Sequence, residues 1–137
     1  MPVKLSHIAL ASPEILRIAA KLKALALHVE KIHDVPSEKV RAAMVPVEVS
    51  KEFRIELLEP TAADSPIAKF LAKRPDGGMH HVSFEVEDLE KWKSALESAG
   101  MEILPPGIRK AARGKALFIH PRSIGGVLVE LEEIETS

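Results

Sequence analysis

Alternation with period two opens the chain. From Val3 to Ala11, His7, Ala9 and Ala11 fall on one side of an extended strand, and Ile8 and Leu10 on the other. Ser12-Pro13-Glu14 reads as a helix start, with Ser12 as the cap and Pro13 in the first turn. Ile15, Ile18, Ala19, Leu22 and Ala26 keep helical spacing, which predicts one buried face. Leu27 to His33 is expected as a second strand, ending at the Asp34-Val35-Pro36-Ser37 turn. Val40 to Val49 and Phe53 to Glu59 supply two more apolar extended runs. The order is strand, helix, then three strands.

Pro60 to Gly78 connects this half to the next. Ser65 caps a short helix with Pro66 at its first position, and Ile67, Phe70 and Leu71 give it an apolar face. Lys73-Arg74-Pro75-Asp76-Gly77-Gly78 breaks that helix and forms a hinge. Met79 to Val86 then alternates again. Asp88 can cap a helix through Leu89, Trp92, Leu96 and Ala99, closed by Gly100 where positive φ is needed. Met101 to Leu104, Ala116 to His120 and Gly126 to Glu132 are the expected closing strands.

The two halves superimpose in sequence. Ser6-His7-Ile8-Ala9-Leu10-Ala11 lies over His80-His81-Val82-Ser83-Phe84-Glu85 at an offset of 74, and the same offset carries Phe53-Arg54-Ile55-Glu56-Leu57-Leu58 onto Val127-Leu128-Val129-Glu130-Leu131-Glu132. Leu22 meets Leu96, Ala26 meets Gly100 and Leu27 meets Met101 in that register. The chain therefore reads as a duplicated module in one domain of 137 residues: module 1 at 1–60, a linker helix at 61–78 and module 2 at 79–137. The predicted class is α+β, with two tandem βαβββ modules curling an eight-stranded sheet around a metal-binding cleft.

Composition narrows the classes of function. Hydrophobic residues make up 46%, enough for a packed core, and a net charge of -1 argues against broad nucleic-acid or membrane binding. There is neither a bilayer-length apolar run nor a signal-peptide core, so a cytoplasmic setting is expected. With no cysteine, disulfides, thiolate metal sites and a cysteine nucleophile are all excluded.

The offset pairs His7 with His81 and Glu56 with Glu130. Pseudo-two-fold symmetry would bring two imidazoles and two carboxylates to one point, a donor set suited to a divalent first-row cation with open coordination positions. Taken singly, each position has a plainer reading. A strand histidine is more often packed than ligating, and a carboxylate between apolar neighbours is usually solvated. Solvated residues, however, have no reason to share a register with both histidines. His80 points to the face opposite His81. His28 and His33 read as surface or turn residues, His120 as a candidate for a cleft mouth, and Trp92 as core.

Leu5-Ser6-His7-Ile8-Ala9, Ile55-Glu56-Leu57-Leu58-Glu59-Pro60, Asp64-Ser65-Pro66-Ile67-Ala68-Lys69-Phe70-Leu71, Gly78-Met79-His80-His81-Val82 and the run Phe118 to Leu131 resemble the methylmalonyl-CoA epimerases. That family lies within the vicinal oxygen chelate (glyoxalase/dioxygenase) superfamily. The resemblance spans nearly the whole chain, and its particular marks are the linker helix and the His120-Pro121-Arg122-Ser123-Ile124-Gly125-Gly126 run. It implies that His7, Glu56, His81 and Glu130 hold a divalent metal, cobalt or manganese first, with zinc, nickel or magnesium as alternatives. It implies proton removal and return at C2 of an acyl-CoA thioester, chelated through its thioester and carboxylate oxygens, with Glu130 as one catalytic carboxylate; Glu56 in a second role, or a metal-bound water, is a candidate for the other acid–base group. A homodimer is expected. A described version of the family carries a further glutamate where Ala42 stands here; Glu38 and Glu48, at even spacing from it, are candidates for that role or are solvated. Lys73, Arg74, Lys110, Arg113, Lys115 and Arg122 are cations that could meet the CoA phosphates or lie solvated.

Two other readings stay open. Another metalloenzyme of the superfamily, such as a lactoylglutathione lyase, uses a similar ligand set, whereas an extradiol dioxygenase fits less well because a fourth protein ligand would occupy a position its substrates need. A binding protein without catalysis on the same scaffold would dispense with all four residues.

Overall fold

Eight strands form in the computed structural model, which describes residues 2–47, 52–111 and 113–135, most of them from alternating apolar runs. In chain order they are β1 (Lys4–Ala11), β2 (Lys31–Val35), β3 (Val40–Val47), β4 (Phe53–Pro60), β5 (Gly78–Glu85), β6 (Arg109–Ala111), β7 (Gly114–Ile119) and β8 (Val129–Ile134). Three helices join them: α1 (Ile15–Leu22), α2 (Pro66–Lys73) and α3 (Leu89–Ser98). The α+β class and the doubled βαβββ order are as the repeat predicts.

Two compact units divide the chain, one His7–His80 and the other Met1–Ser6 with His81–Ser137. In the first, the strands run β2-β3-β4-β1, with β1 parallel to β4 and the other neighbours antiparallel. One face of this sheet carries Ala43, Val45 and Leu57 against Ile15 and Ala19 of α1. On the other, Ala9, Ala11, Val40, Ala42 and Leu58 lie with Ile67, Phe70 and Leu71 of α2. The second unit repeats the order as β5-β8-β7-β6, with β5 parallel to β8. Leu89, Trp92 and Leu96 of α3 pack there with Leu117, Ile119, Val129 and Leu131. Burying each of the leucine, isoleucine and valine side chains among these contributes roughly 1.5–3 kcal/mol, so the apolar faces hold each unit together.

The chain enters β5 through a turn only glycine can make. Gly77 has φ +90°, and a Cβ there would stand 2.4 Å from the Ala11 carbonyl oxygen. Ser65 caps α2 as predicted, accepting from the Ile67 N–H at 3.1 Å, and Asp88 caps α3 by accepting from the Lys91 N–H at 3.3 Å.

Ser12 is not the cap of α1. Its hydroxyl accepts from the Glu14 N–H at 3.1 Å, and the helix starts only at Ile15. The Ile15 N–H instead donates to Glu59 Oε1 at 3.0 Å, and the Leu89 N–H donates to Glu133 Oε1 at 2.7 Å. Ile15 and Leu89 are 74 apart, as are Glu59 and Glu133, so each module caps its helix with a carboxylate from its own fourth strand. Negative charge at a helix N-terminus is favourable, and these acceptors serve donors that no local residue reaches. Glu59→Ala and Glu133→Ala are each expected to cost about 1 kcal/mol in urea unfolding, additively in the double variant. An unchanged midpoint in both would show that water serves these donors equally well.

Three strand expectations need correction. The second strand is Lys31–Val35 rather than Leu27 to His33, because its limits follow the pairing of Val35 through Lys31 with Val40 through Met44. Leu27 and Val29 instead pack against the α1 core before the strand begins. Met101 to Leu104 forms no strand of its own: Ile103 makes one bridge to Ile119, and Pro105-Pro106-Gly107, with φ +93° at the glycine, turns the chain away. The edge strand is Arg109–Ala111, which the apolar pattern does not mark. Gly125 and Gly126, at φ +74° and +83°, keep the turn before β8 open, so that strand starts at Val129 rather than Gly126. Glu48 and Val49, expected at the end of β3, lie outside the described residues.

Candidate metal centre

His7 follows Ser6 into the buried part of β1 and is 4% exposed. Parallel pairing sets Ala9 opposite Glu56, so the β4 glutamate stands on the face that carries His7. His7 Nε2 and Glu56 Oε2 are 3.7 Å apart. In the other unit His81, 6% exposed, stands on β5, and pairing sets Ser83 opposite Glu130 on β8. His81 Nε2 and Glu130 Oε1 are again 3.7 Å apart. The predicted quartet is therefore present as two like pairs, one per unit, on mates of the repeat.

That spacing carries chemical information. At 3.7 Å neither pair is hydrogen-bonded through these atoms. Two donors that each lie about 2.0–2.2 Å from one cation are separated by up to roughly 4 Å, so both pairs have ligand spacing. Nitrogen and carboxylate oxygen donors with no thiolate suit a first-row divalent ion. The residues present fit the metal that the donor pattern implies.

The surroundings hold the imidazoles in place. The His81 ring meets Phe118 edge-on at 5.8 Å and 90°, and Arg109 lies over the opposite partner of that contact, 4.5 Å from the Phe118 centroid. His80, on the other face of β5, packs edge-on against Phe70 of α2 at 5.2 Å. Desolvation pushes its pKa down to about 4, which keeps that ring neutral. His120 is a turn residue: its Nδ1 accepts from the Arg122 N–H at 3.1 Å. His28 is exposed and His33 half-buried, outside both pairs.

The remaining candidates separate clearly. Ala42 is 1% exposed among the apolar residues with α2, so no carboxylate stands at that position. Glu38 sits on the 3-10 turn Pro36–Glu38 and is followed by Lys39 at φ +54°, so regular strand spacing from Ala42 does not extend to it. Glu48 lies outside the described residues. Among the cations, Arg113 donates to Glu132 at 3.1 Å, Lys115 is 3.5 Å from Glu133, and Arg122 pairs with Glu102, holding that carboxyl below its usual range. Arg74 lies 5.3 Å over the Phe70 ring.

One buried acidic group escaped the sequence reading. Glu132, two residues beyond Glu130 on the same face of β8, accepts from the Ser6 hydroxyl as well as from Arg113. Its mate at the offset is Leu58, so the repeat itself gives no signal for a carboxylate there.

Comparison with known proteins places this geometry in context. The family model described as the Glyoxalase/Bleomycin resistance protein/Dioxygenase superfamily matches residues 6–118. The ethylmalonyl-CoA/methylmalonyl-CoA epimerase of Cereibacter sphaeroides is 40% identical over 134 residues, covering 96% of this chain and 98% of the relative. A solved methylmalonyl-CoA epimerase from Mycobacterium tuberculosis superimposes with a TM-score of 0.86 at 28% identity, over 97% of this chain and 89% of that one. A variant of the Streptomyces coelicolor methylmalonyl-CoA epimerase, in complex with 2-nitronate-propionyl-CoA, gives 0.84 at 27% identity, over 97% and 98%.

Proposed function

Because this chain belongs to the glyoxalase/bleomycin resistance protein/dioxygenase superfamily and, within it, to the methylmalonyl-CoA epimerases, we propose that it interconverts (R)- and (S)-methylmalonyl-CoA. The carrying observation is the His–Glu pair, its imidazole buried, repeated at the same 3.7 Å on mates of the sequence repeat. In this reading His7, His81 and Glu130, with Glu56, bind one divalent cation, cobalt or manganese in preference to zinc, nickel or magnesium. When bound, the cation supplies positive charge beside the thioester and carboxylate oxygens, where negative charge grows as the C2 proton leaves.

The chain's own residues do the rest. His7 and His81, both buried, present ring nitrogens as donors to the cation. Glu56 and Glu130 reduce the net charge of the centre, and their carboxylate oxygens are the groups assigned to hold the C2 proton. With Ala42 in place of a further glutamate, inversion falls to these two carboxylates, one serving each face of the planar carbanion. The same reading carries a homodimer and a cytoplasmic setting. No helix among the described residues is long and apolar enough to cross a membrane.

The test is proton exchange. Protein supplied with cobalt and incubated in deuterium oxide with methylmalonyl-CoA should wash deuterium into C2 while the two epimers equilibrate. A hemithioacetal lyase or a binding protein on this scaffold would leave C2 unlabelled, and that result would sink the assignment.

A further inference from the structure

We propose, resting on the metal-centre reading above, that Ser83 is the positioning residue of Glu130: its hydroxyl donates to the Glu130 carboxylate and sets the orientation in which that carboxylate takes the cation.

The two half-sites differ at the position opposite the glutamate. Glu56 has Ala9 opposite it across the parallel β1–β4 pair, whereas Glu130 has Ser83 opposite it across β5–β8. Ala9 and Ser83 are mates at the offset of 74, and both are 0% exposed. Alanine is thus accepted at this buried place in one module, and packing alone does not call for a hydroxyl in the other. The Ser83 Oγ is sealed from water and has no hydrogen-bond partner. An unsatisfied buried hydroxyl lowers stability, so its presence is explained best by a partner it acquires in function.

The geometry offers that partner. Ser83 and His81 are two apart on β5 and share a face, and register partners on adjacent parallel strands project to the same side. Strands about 4.8 Å apart bring a serine hydroxyl within reach of a glutamate carboxylate after rotation about side-chain bonds alone. A carboxylate has lone pairs for both jobs: one oxygen can face the ion while the other accepts from Ser83. Such outer partners of metal ligands commonly change affinity by about 10–100-fold.

The experiment titrates cobalt alone into wild type, Ser83→Ala, Glu130→Gln, Glu56→Gln and the two double variants, following binding by calorimetry and the metal-free melting temperature in parallel. Ser83→Ala should weaken cobalt binding about tenfold while leaving metal-free melting unchanged or raised. In the Glu130→Gln background the alanine should add little; in the Glu56→Gln background it should add its full effect. Equal cobalt affinity in wild type and Ser83→Ala would overturn the proposal, as would a loss that appears equally in both backgrounds or that accompanies lowered metal-free stability. If wild type itself takes up no cobalt, the metal-centre reading fails, and the two failures are thereby told apart.

Discussion

His81→Ala should abolish stoichiometric cobalt binding and cut the exchange of the C2 proton by about a thousandfold or more, on a protein that remains folded. The magnitude follows from asking a cation to supply several kcal/mol of charge stabilisation, each 1.36 kcal/mol being a factor of ten in rate. The edge-on contact with Phe118 that the alanine removes is the kind of pair worth about 0.5–1.5 kcal/mol, too little to unfold a domain by itself. The lost volume adds a cavity cost, which lowers the melting temperature without unfolding the protein at 25 °C. Circular dichroism on the same sample separates lost ligand from lost fold. His80→Ala is the matched control: it removes a neighbouring imidazole that packs on Phe70, and it should leave cobalt stoichiometry intact. Prolonged chelation of wild type should reproduce the His81→Ala defect, and added cobalt should reverse it only in wild type. Metal content that survives His81→Ala would remove this histidine from the ligand set.

The same residues show how far the amino-acid sequence reaches. A constant offset of 74 places His7, Glu56, His81 and Glu130 on first and fourth strands, where the structure has them. Ser65 and Asp88 declare their helix starts because cap and capped donor are only two or three residues apart. Ser12 misleads for the complementary reason: the acceptor that serves Ile15 is Glu59, 44 residues on, and only the folded sheet brings it there. Edge strands fail similarly. Lys31–Val35 and Arg109–Ala111 are bounded by what their neighbours pair with, since an edge strand buries too little to impose a strong alternation of its own. Ser83 and Glu132 stay hidden in the sequence because a repeat signals only likeness. Their mates Ala9 and Leu58 belong to the apolar face with α2, so the informative signal lay in the departure from symmetry.

The two glutamates should behave differently from the histidines, and from each other. Glutamine keeps the shape and one ligating oxygen of glutamate but cannot hold the C2 proton at neutral pH. At saturating cobalt, Glu130→Gln is therefore expected to epimerise about 10²–10⁴-fold more slowly, the usual contribution of a positioned acid or base. Were Glu130 a ligand alone, saturating the site would restore most of the rate, so the shortfall at saturation measures its proton-holding role. A second readout assigns the faces. If Glu130 serves one face and Glu56 the other, each single variant retains its remaining carboxylate, which can still remove a proton from one epimer and return deuterium to the same face. Glu130→Gln should then label one pure epimer without inverting it and leave the other unlabelled, while Glu56→Gln shows the opposite preference. Mass analysis of label, set against chiral analysis of product, distinguishes the outcomes. Inversion at near wild-type rate in either variant, or loss of label from both epimers in both, would show that the two carboxylates do not divide the faces between them and would return them to the role of ligands.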